Sequence, residues 1–314
     1  MKLYINQFAS LLWSTVNHVA RRFYANKQVT LPVPSIVVGN IQAGGVGKTE
    51  VVAYLANHLL KVQKKVVVAM RGYGAPEFET TTAIFTSYEQ AARAHAPDEA
   101  QVLLKKCPGL SVVVGKHRVD ALYEHCFASG KQLPDCVIFD DGLQQFKIKS
   151  DLKILVHHFG VKTVKRDFSK VQHTCDIKLG FGVKELIPSD YLSSEYRLQG
   201  IVPTPMNKQD DPFYASKYFA FCGIGNPQRF FQFLSDNHVA FDRGQVFADH
   251  YRYQKSDVQH LLKISRERPL LTTLKDYVKL VPHRIPHLHY VDVALEVSNP
   301  DTLLAALNRV VGIG

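Results

Sequence analysis

Six consecutive residues, Gly44-Gly45-Val46-Gly47-Lys48-Thr49, carry the clearest chemistry in this 314-residue chain. They follow the β-branched run Ser35-Ile36-Val37-Val38 and precede an amphipathic helical pattern over residues 48–62. Glycines without Cβ let successive backbone N–H groups converge on a polyphosphate, and the following helix adds the positive end of its dipole. Lys48 is then placed to reach β- and γ-phosphate oxygens, and Thr49 to offer a hydroxyl to Mg²⁺. The expected nucleotide-binding segment is Gln42, Ala43, Gly44, Gly45, Val46, Gly47, Lys48 and Thr49, which makes ATP the first ligand to consider. One position departs from the strict G-x-x-x-x-G-K-[ST] spacing: Gln42 stands where that pattern has glycine.

Carboxylates supply the second kind of chemistry. The apolar run Cys136-Val137-Ile138-Phe139 delivers Asp140, Asp141 and Gly142. Adjacent aspartates repel each other, a cost that a hard cation between them offsets, so Asp140 and Asp141 are candidate Mg²⁺ ligands. The same three residues also suit a plain turn closing a strand. Pro97-Asp98-Glu99 opens a helical run, with proline in the first turn and acids facing the positive end of the dipole. His250, in Asp249-His250-Tyr251, is one of 14 histidines, and a histidine beside a carboxylate suits acid–base work. Residues 147–184 hold nine Lys or Arg against Asp151, Asp167 and Asp176, which reads as a solvated face or as a surface for phosphates or anionic lipid; Arg166 with Asp167 is its most compact polar pair.

These groups need elements to hold them. Short apolar runs at 35–38, 66–70, 111–115, 136–139, 152–156 and 177–181 alternate with helical patterns, which implies a parallel sheet covered on both faces. Ligands in such sheets gather at the carboxyl ends of the strands, where every motif above falls. The expected fold class is α/β: a P-loop NTPase-like parallel-sheet domain over 29–210 and a second, smaller α/β domain over 211–314. Residues 185–212 carry Pro188, Pro203, Pro205 and Pro212 amid polar residues, and the domain boundary is expected near residue 210.

Residues 1–28 read as an amphipathic, membrane-facing helix. Ile5, Phe8, Leu12, Val16, Val19 and Phe23 form one stripe. Asn17, His18, Arg21 and Arg22 interrupt it before the roughly 18 uninterrupted apolar residues that a spanning helix needs. The expectation is a helix that lies on a membrane or packs on its own domain, with no removable signal peptide. A hydrophobic content of 46% excludes a disordered chain, and a net charge of +10 favours an anionic partner without choosing one. Five cysteines with no C-x-x-C pair, mostly in apolar runs, read as reduced core residues suited to a cytoplasmic setting.

The order of motifs resembles one family, the tetraacyldisaccharide 4'-kinases that phosphorylate a lipid A precursor. The succession is Val38-Gly39-Asn40 with the glycine loop, Arg71-Gly72-Tyr73-Gly74, Asp98-Glu99, Asp140-Asp141-Gly142-Leu143-Gln144, Gly223-Ile224-Gly225-Asn226-Pro227, Asp249-His250, and Thr272-Thr273 with Lys275-Asp276. The resemblance implies transfer of the ATP γ-phosphate to the 4'-hydroxyl of a membrane-embedded acylated disaccharide 1-phosphate, by a peripheral protein on the cytoplasmic face of the inner membrane. It implies that Asp98 and His250 accept the hydroxyl proton, that Lys48 and Arg166 stabilise phosphate charge, and that Thr49, Asp140, Asp141 and Gln144 manage Mg²⁺. No obligate protein partner and no nucleic acid are implied. The chain departs from the family pattern at Pro97, Ala100, Gln145, Tyr251 and Leu274, and Arg166 aligns only after a deletion. Two other functions fit parts of the pattern. One is a membrane-associated ATPase switch of the partition and division-site type, although those loops carry an additional lysine where this chain has Ala43; the other is an inactive, diverged relative of the kinases.

Overall fold

The computed structural model of the chain describes residues 28–42, 45–72, 75–128, 130, 132–143, 147–160, 173–204, 217–266 and 268–313. They form two compact α/β units: the first runs to Glu195 and resumes at Leu295, and the second is Tyr196–Ala294. Residues 1–27, which contain the stripe of the expected membrane-facing helix, lie outside the described residues. No helix among the described residues is long and apolar enough to cross a membrane.

The sheet of the first unit is built from β1 (Ser35–Gly39), β2 (Val66–Met70), β3 (Ala83–Phe85), β4 (Ser111–Val114), β5 (Cys136–Asp140), β6 (Leu152–Phe159), β7 (Ile177–Gly182) and the start of β8 (Leu192–Pro203). Its order is β8-β7-β6-β1-β5-β2-β4-β3. Every pairing is parallel except that of β3 with β4. The Val- and Ile-rich strands are buried on both faces, as a parallel sheet requires. Val37, Val67, Val113, Val137, Phe139 and Leu155 pack on one side with Ala121 and Leu122 of α4 (Arg118–Leu122). The alternate residues Ile36, Val38, Val68, Ile138 and Ile154 are fully buried too, and α1 (Lys48–Lys61) runs against β1, β2 and β5. The remaining helices of this part are α2 (Tyr88–Arg93) and α3 (Asp98–Lys106). Because the strands around β1 are parallel, the segments that follow them emerge on one edge.

The second unit has β9 (Tyr218–Cys222), β10 (Phe241–Val246), β11 (Leu270–Thr273) and β12 (Leu288–Val297), paired in parallel in the order β10-β9-β11-β12. Its helices are α5 (Pro227–Asp236), α6 (Lys255–Ser265) and α7 (Leu274–Leu280). Phe230, Phe231 and Leu234 of α5 pack on Tyr218, Ala220, Cys222, Leu271 and Val291. Asn226 caps α5 by accepting from Arg229 N, and Pro227 supplies the fixed φ of a first helical residue.

This division differs from the expected one in two places. Residues 196–204 fall with the second unit, and the closing helix α8 (Pro300–Val311) falls with the first. Leu303, Leu307 and Val311 of α8 are buried, the helix runs against β6, and Asn308 Oδ1 meets His58 Nε2 of α1 at 2.8 Å. An apolar helical stripe specifies that a face must be covered without saying by which sheet. Strand β8, 12 residues long, lies inside the proline-bearing segment, where no strand was expected. Pro188 lies before that strand and Pro203 is its last residue, so neither breaks its ladder. The expected boundary at residue 210 lies outside the described residues.

Candidate active site

Strand β1 ends at Gly39, which packs closely against the turn after β5: a Cβ there would lie 2.8 Å from Leu143 Cγ and 2.9 Å from Leu143 N. Asn40 and Gln42 follow, both buried. Gln42 does not adopt a left-handed backbone, so glycine's conformational freedom is not needed at this position of the motif. Its side chain instead grips strand β6, with Oε1 accepting from His158 N at 2.7 Å and Nε2 donating to His158 O at 2.9 Å. Gly47, at φ 95°, is the residue before α1, a conformation that favours glycine. Lys48 and Thr49 then occupy the first turn of α1. The Lys48 ammonium donates to Asn40 Oδ1 at 3.2 Å and lies 3.4 Å from Asp141 Oδ1. Ala43 and Gly44 lie outside the described residues.

The second carboxylate pair comes to the same place through register. Strand β5 pairs with β1 so that Asp140 stands opposite Val38, and the turn that follows is pinned by Gly142 N donating to Val38 O at 3.0 Å. Asp140 is buried, and burial pushes its carboxyl above the ordinary value; Asp141 adds to the rise, while Lys48, Arg118 and the Asp141 backbone N–H oppose it. Its Oδ1 has no hydrogen-bond partner among the described residues. Asp141 sits in the left-handed region at φ 53°, an uncommon conformation for a residue with a side chain. Two adjacent carboxylates beside a lysine, one with a buried and unsatisfied oxygen, suit a hard divalent cation.

Arg118, which sequence reasoning did not single out, holds the same turn. It is buried, and its Nη1 donates to Asp140 O at 2.6 Å and Asp141 O at 3.1 Å, holding the turn from beneath. Burial lowers its pKa, the two aspartates raise it, and Arg71 lowers it further. A signal was available: a cation in the first turn of a helix opposes the helix dipole and calls for a partner elsewhere.

Asp98 is the first residue of α3, preceded by Pro97, and is buried with Oδ1 accepting from Glu99 N at 3.0 Å. It stands by the segment after β2, where a Cβ on Gly72 would lie 3.7 Å from Pro97 Cγ. Lys48, Thr49, Asp98, Asp140 and Asp141 thus all belong to segments of the first unit, and the structure brings Lys48, Asp140 and Asp141 together. His250 belongs to the second unit, at φ 56° after β10. Its N–H donates to Asp249 Oδ1 at 3.1 Å, and Lys275 Nζ approaches its Nε2 at 3.2 Å. In the same unit, fully buried Asp276 accepts from Gly223 N, Tyr253 Oη and Thr273 Oγ1, and pairs with Lys279 at 2.8 Å. Arg166 and Gln144 lie outside the described residues.

A parallel sheet with a glycine-rich turn and lysine after its central strand, and strand-end aspartates beside them, defines a P-loop NTPase-like protein. The family model described as tetraacyldisaccharide-1-P 4'-kinase matches residues 3–167 and 184–312. The chain belongs to that family. It is 29% identical to the tetraacyldisaccharide 4'-kinase of Francisella philomiragia over 318 aligned residues, covering 93% of this chain and 95% of the relative. It is 31% identical to the enzyme of that name from Rickettsia typhi, covering 88% and 85%. Among solved structures, LpxK of Aquifex aeolicus in complex with ATP has a similar fold, with a TM-score of 0.76, 24% identity and 99% of both chains covered.

Proposed function

We propose that this protein is an ATP-dependent kinase that phosphorylates the 4'-hydroxyl of a tetraacyldisaccharide 1-phosphate in lipid A biosynthesis. Family membership supports the substrate and the reaction. The observation that carries the nucleotide reading is Lys48, held beside Asp141 and the buried Asp140 at the carboxyl edge of a parallel sheet. In the transfer, a bond forms between the 4'-oxygen and the γ-phosphorus. The bond from that phosphorus to the β–γ bridging oxygen breaks, and ADP leaves with its electron pair. Such a reaction asks chiefly for positioning and charge stabilisation.

The residues divide by what they offer. Backbone N–H groups of the loop from Gln42 to Thr49 cradle the phosphates, and Lys48 stabilises charge on the β- and γ-oxygens. Arg166 is proposed for the same task from the resemblance. Asp140, Asp141, the Thr49 hydroxyl and Gln144 would hold Mg²⁺, and the unsatisfied Asp140 Oδ1 suits such an ion. When bound, the ion neutralises phosphate charge. Acceptance of the hydroxyl proton is assigned to Asp98 and His250, as the resemblance implies.

The acceptor carries acyl chains, so the protein is proposed to work as a peripheral protein at the cytoplasmic face of the inner membrane. The apolar stripe from Ile5 to Phe23 is the proposed contact. Removing residues 1–25 is expected to reduce the membrane-bound fraction in a flotation assay, and an unchanged fraction would return the stripe to a packing role. The activity itself is tested by incubating the protein with radiolabelled ATP, Mg²⁺ and detergent-dispersed disaccharide 1-phosphate. Label on the lipid is the expected result. Hydrolysis of ATP without lipid labelling would favour an ATPase switch, and neither product would mark an inactive relative.

A further inference from the structure

We propose that Gln42 and Asn40 form a positioning relay that ties the phosphate loop to strand β6 and sets the Lys48 ammonium for the nucleotide. The inference rests on the reading of Lys48 as a polyphosphate ligand. Both amides have orientations that their partners dictate. A backbone N–H can only donate and a carbonyl can only accept, so Gln42 must turn Oε1 to His158 N and Nε2 to His158 O. That is the two-bond exchange of an antiparallel strand pair, made here by a side chain. It fixes the residue that carries the next link, because the Gln42 carbonyl accepts from Asn40 Nδ2 at 2.5 Å. With its Nδ2 committed, Asn40 presents Oδ1 to Lys48 Nζ at 3.2 Å, and an ammonium, having no lone pair, can only be the donor there.

Each member is placed for this task. Asn40 is fully buried and Gln42 is 4% exposed, so water competes little for either amide. The relay reaches Lys48 with a neutral oxygen. Asn40 therefore holds the ammonium without cancelling its charge, whereas Asp141, 3.4 Å from the same ammonium, is an acid. Gln42 occupies the position where the strict motif has glycine, and the structure gives that departure a use: the side chain joins loop to sheet, at a position that needs no left-handed backbone. Asn40 and Gln42 are positioning residues in this account, acting on phosphate only through Lys48 and the loop backbone.

A double-mutant cycle on the full chain separates this role from ordinary fold support. Transfer from ATP to the detergent-dispersed lipid is measured for wild type, Asn40→Ala, Lys48→Ala and the double variant, with the thermal midpoint of each. Asn40→Ala is expected to lower kcat/KM roughly ten- to hundredfold, the loss of one hydrogen bond to a charged group, yet by less than about twofold in the Lys48→Ala background. Equal losses in both backgrounds would overturn the relay. Unimpaired transfer by Lys48→Ala alone would remove the reading of Lys48 and the relay with it, a pattern distinct from equal losses. Should Asn40→Ala fail to fold, Gln42→Gly gives an independent readout, because it writes in the glycine of the strict pattern. The relay predicts that this variant loses roughly tenfold in kcat/KM, again only while Lys48 is present. Transfer equal to wild type would contradict it.

Discussion

Asp140 shows at the scale of one residue how a site stands against the stability of its own protein. Its carboxyl is buried, with one oxygen unsatisfied, and its pKa is raised chiefly by that burial. Between the ordinary aspartate value and the raised one, the folded protein holds more protons than the unfolded chain. Stability therefore falls as pH rises through that window. Asp140→Asn removes the charge and is expected to stabilise the protein without nucleotide or Mg²⁺ at pH 8, with the gain disappearing as pH approaches the ordinary aspartate range. The same variant should lose phosphoryl transfer. Denaturant unfolding of both proteins across that range checks the sign, and a variant less stable than wild type at pH 8 would contradict it. The glycine turn after β1 and the acids that end β5 were legible in the sequence because glycine spacing and strand-end acids are local patterns. Arg118 was legible only as a helix-start cation in need of a partner; that the partners are two backbone carbonyls 22 and 23 residues away is written in no side-chain pattern. Gln42 looked like a defect because a motif records which residue is usual and not what another side chain could do there.

Elements were legible wherever one period dominated. The apolar runs of β1, β2 and β5 and the helical pattern of α1 stand where expected, because strands buried on both faces leave almost nothing but Val, Ile, Ala and their like. Strand β8 was hidden by its flanking prolines and by polar residues, with most of its positions only partly buried. The junction of loop and α1 is where a single substitution acts on a whole element. Gly47 stands at φ 95°, and Gly47→Ala forces a Cβ into that region at a cost of about 1–2 kcal/mol. Thermal unfolding should register that loss, together with weaker nucleotide binding, since the start of α1 carries Lys48 and Thr49. A Gly47→Ala protein with unchanged melting and unchanged nucleotide affinity would show that the turn is not needed in this form.

Across the whole molecule, the α/β class could be read from alternation alone, whereas the membership of each compact unit could not. Helix α8 closes the chain yet counts with the unit in which it began, because its buried face and Asn308 meet α1 and β6. Sequence order suggests neighbours in space, and a chain that leaves and returns defeats that suggestion. The thiols follow the expected pattern: Cys107, Cys126, Cys136 and Cys222 are buried, and burial pushes Cys107, Cys136 and Cys222 up to about 12, which leaves them unreactive core groups. The family match over most of the chain agrees with the colinear run of motifs, none of which is decisive by itself.

The central claim is that Lys48 and its neighbours hold the nucleotide while Asp98 serves the acceptor alcohol. The most direct test measures ATP affinity by calorimetry and label transfer to lipid in the same preparations of wild type, Lys48→Ala and Asp98→Ala. The account predicts that Asp98→Ala keeps its ATP affinity within about threefold and loses transfer by at least about a hundredfold, whereas Lys48→Ala weakens both. Transfer by Asp98→Ala at the wild-type rate, or ATP affinity untouched by Lys48→Ala, would contradict it.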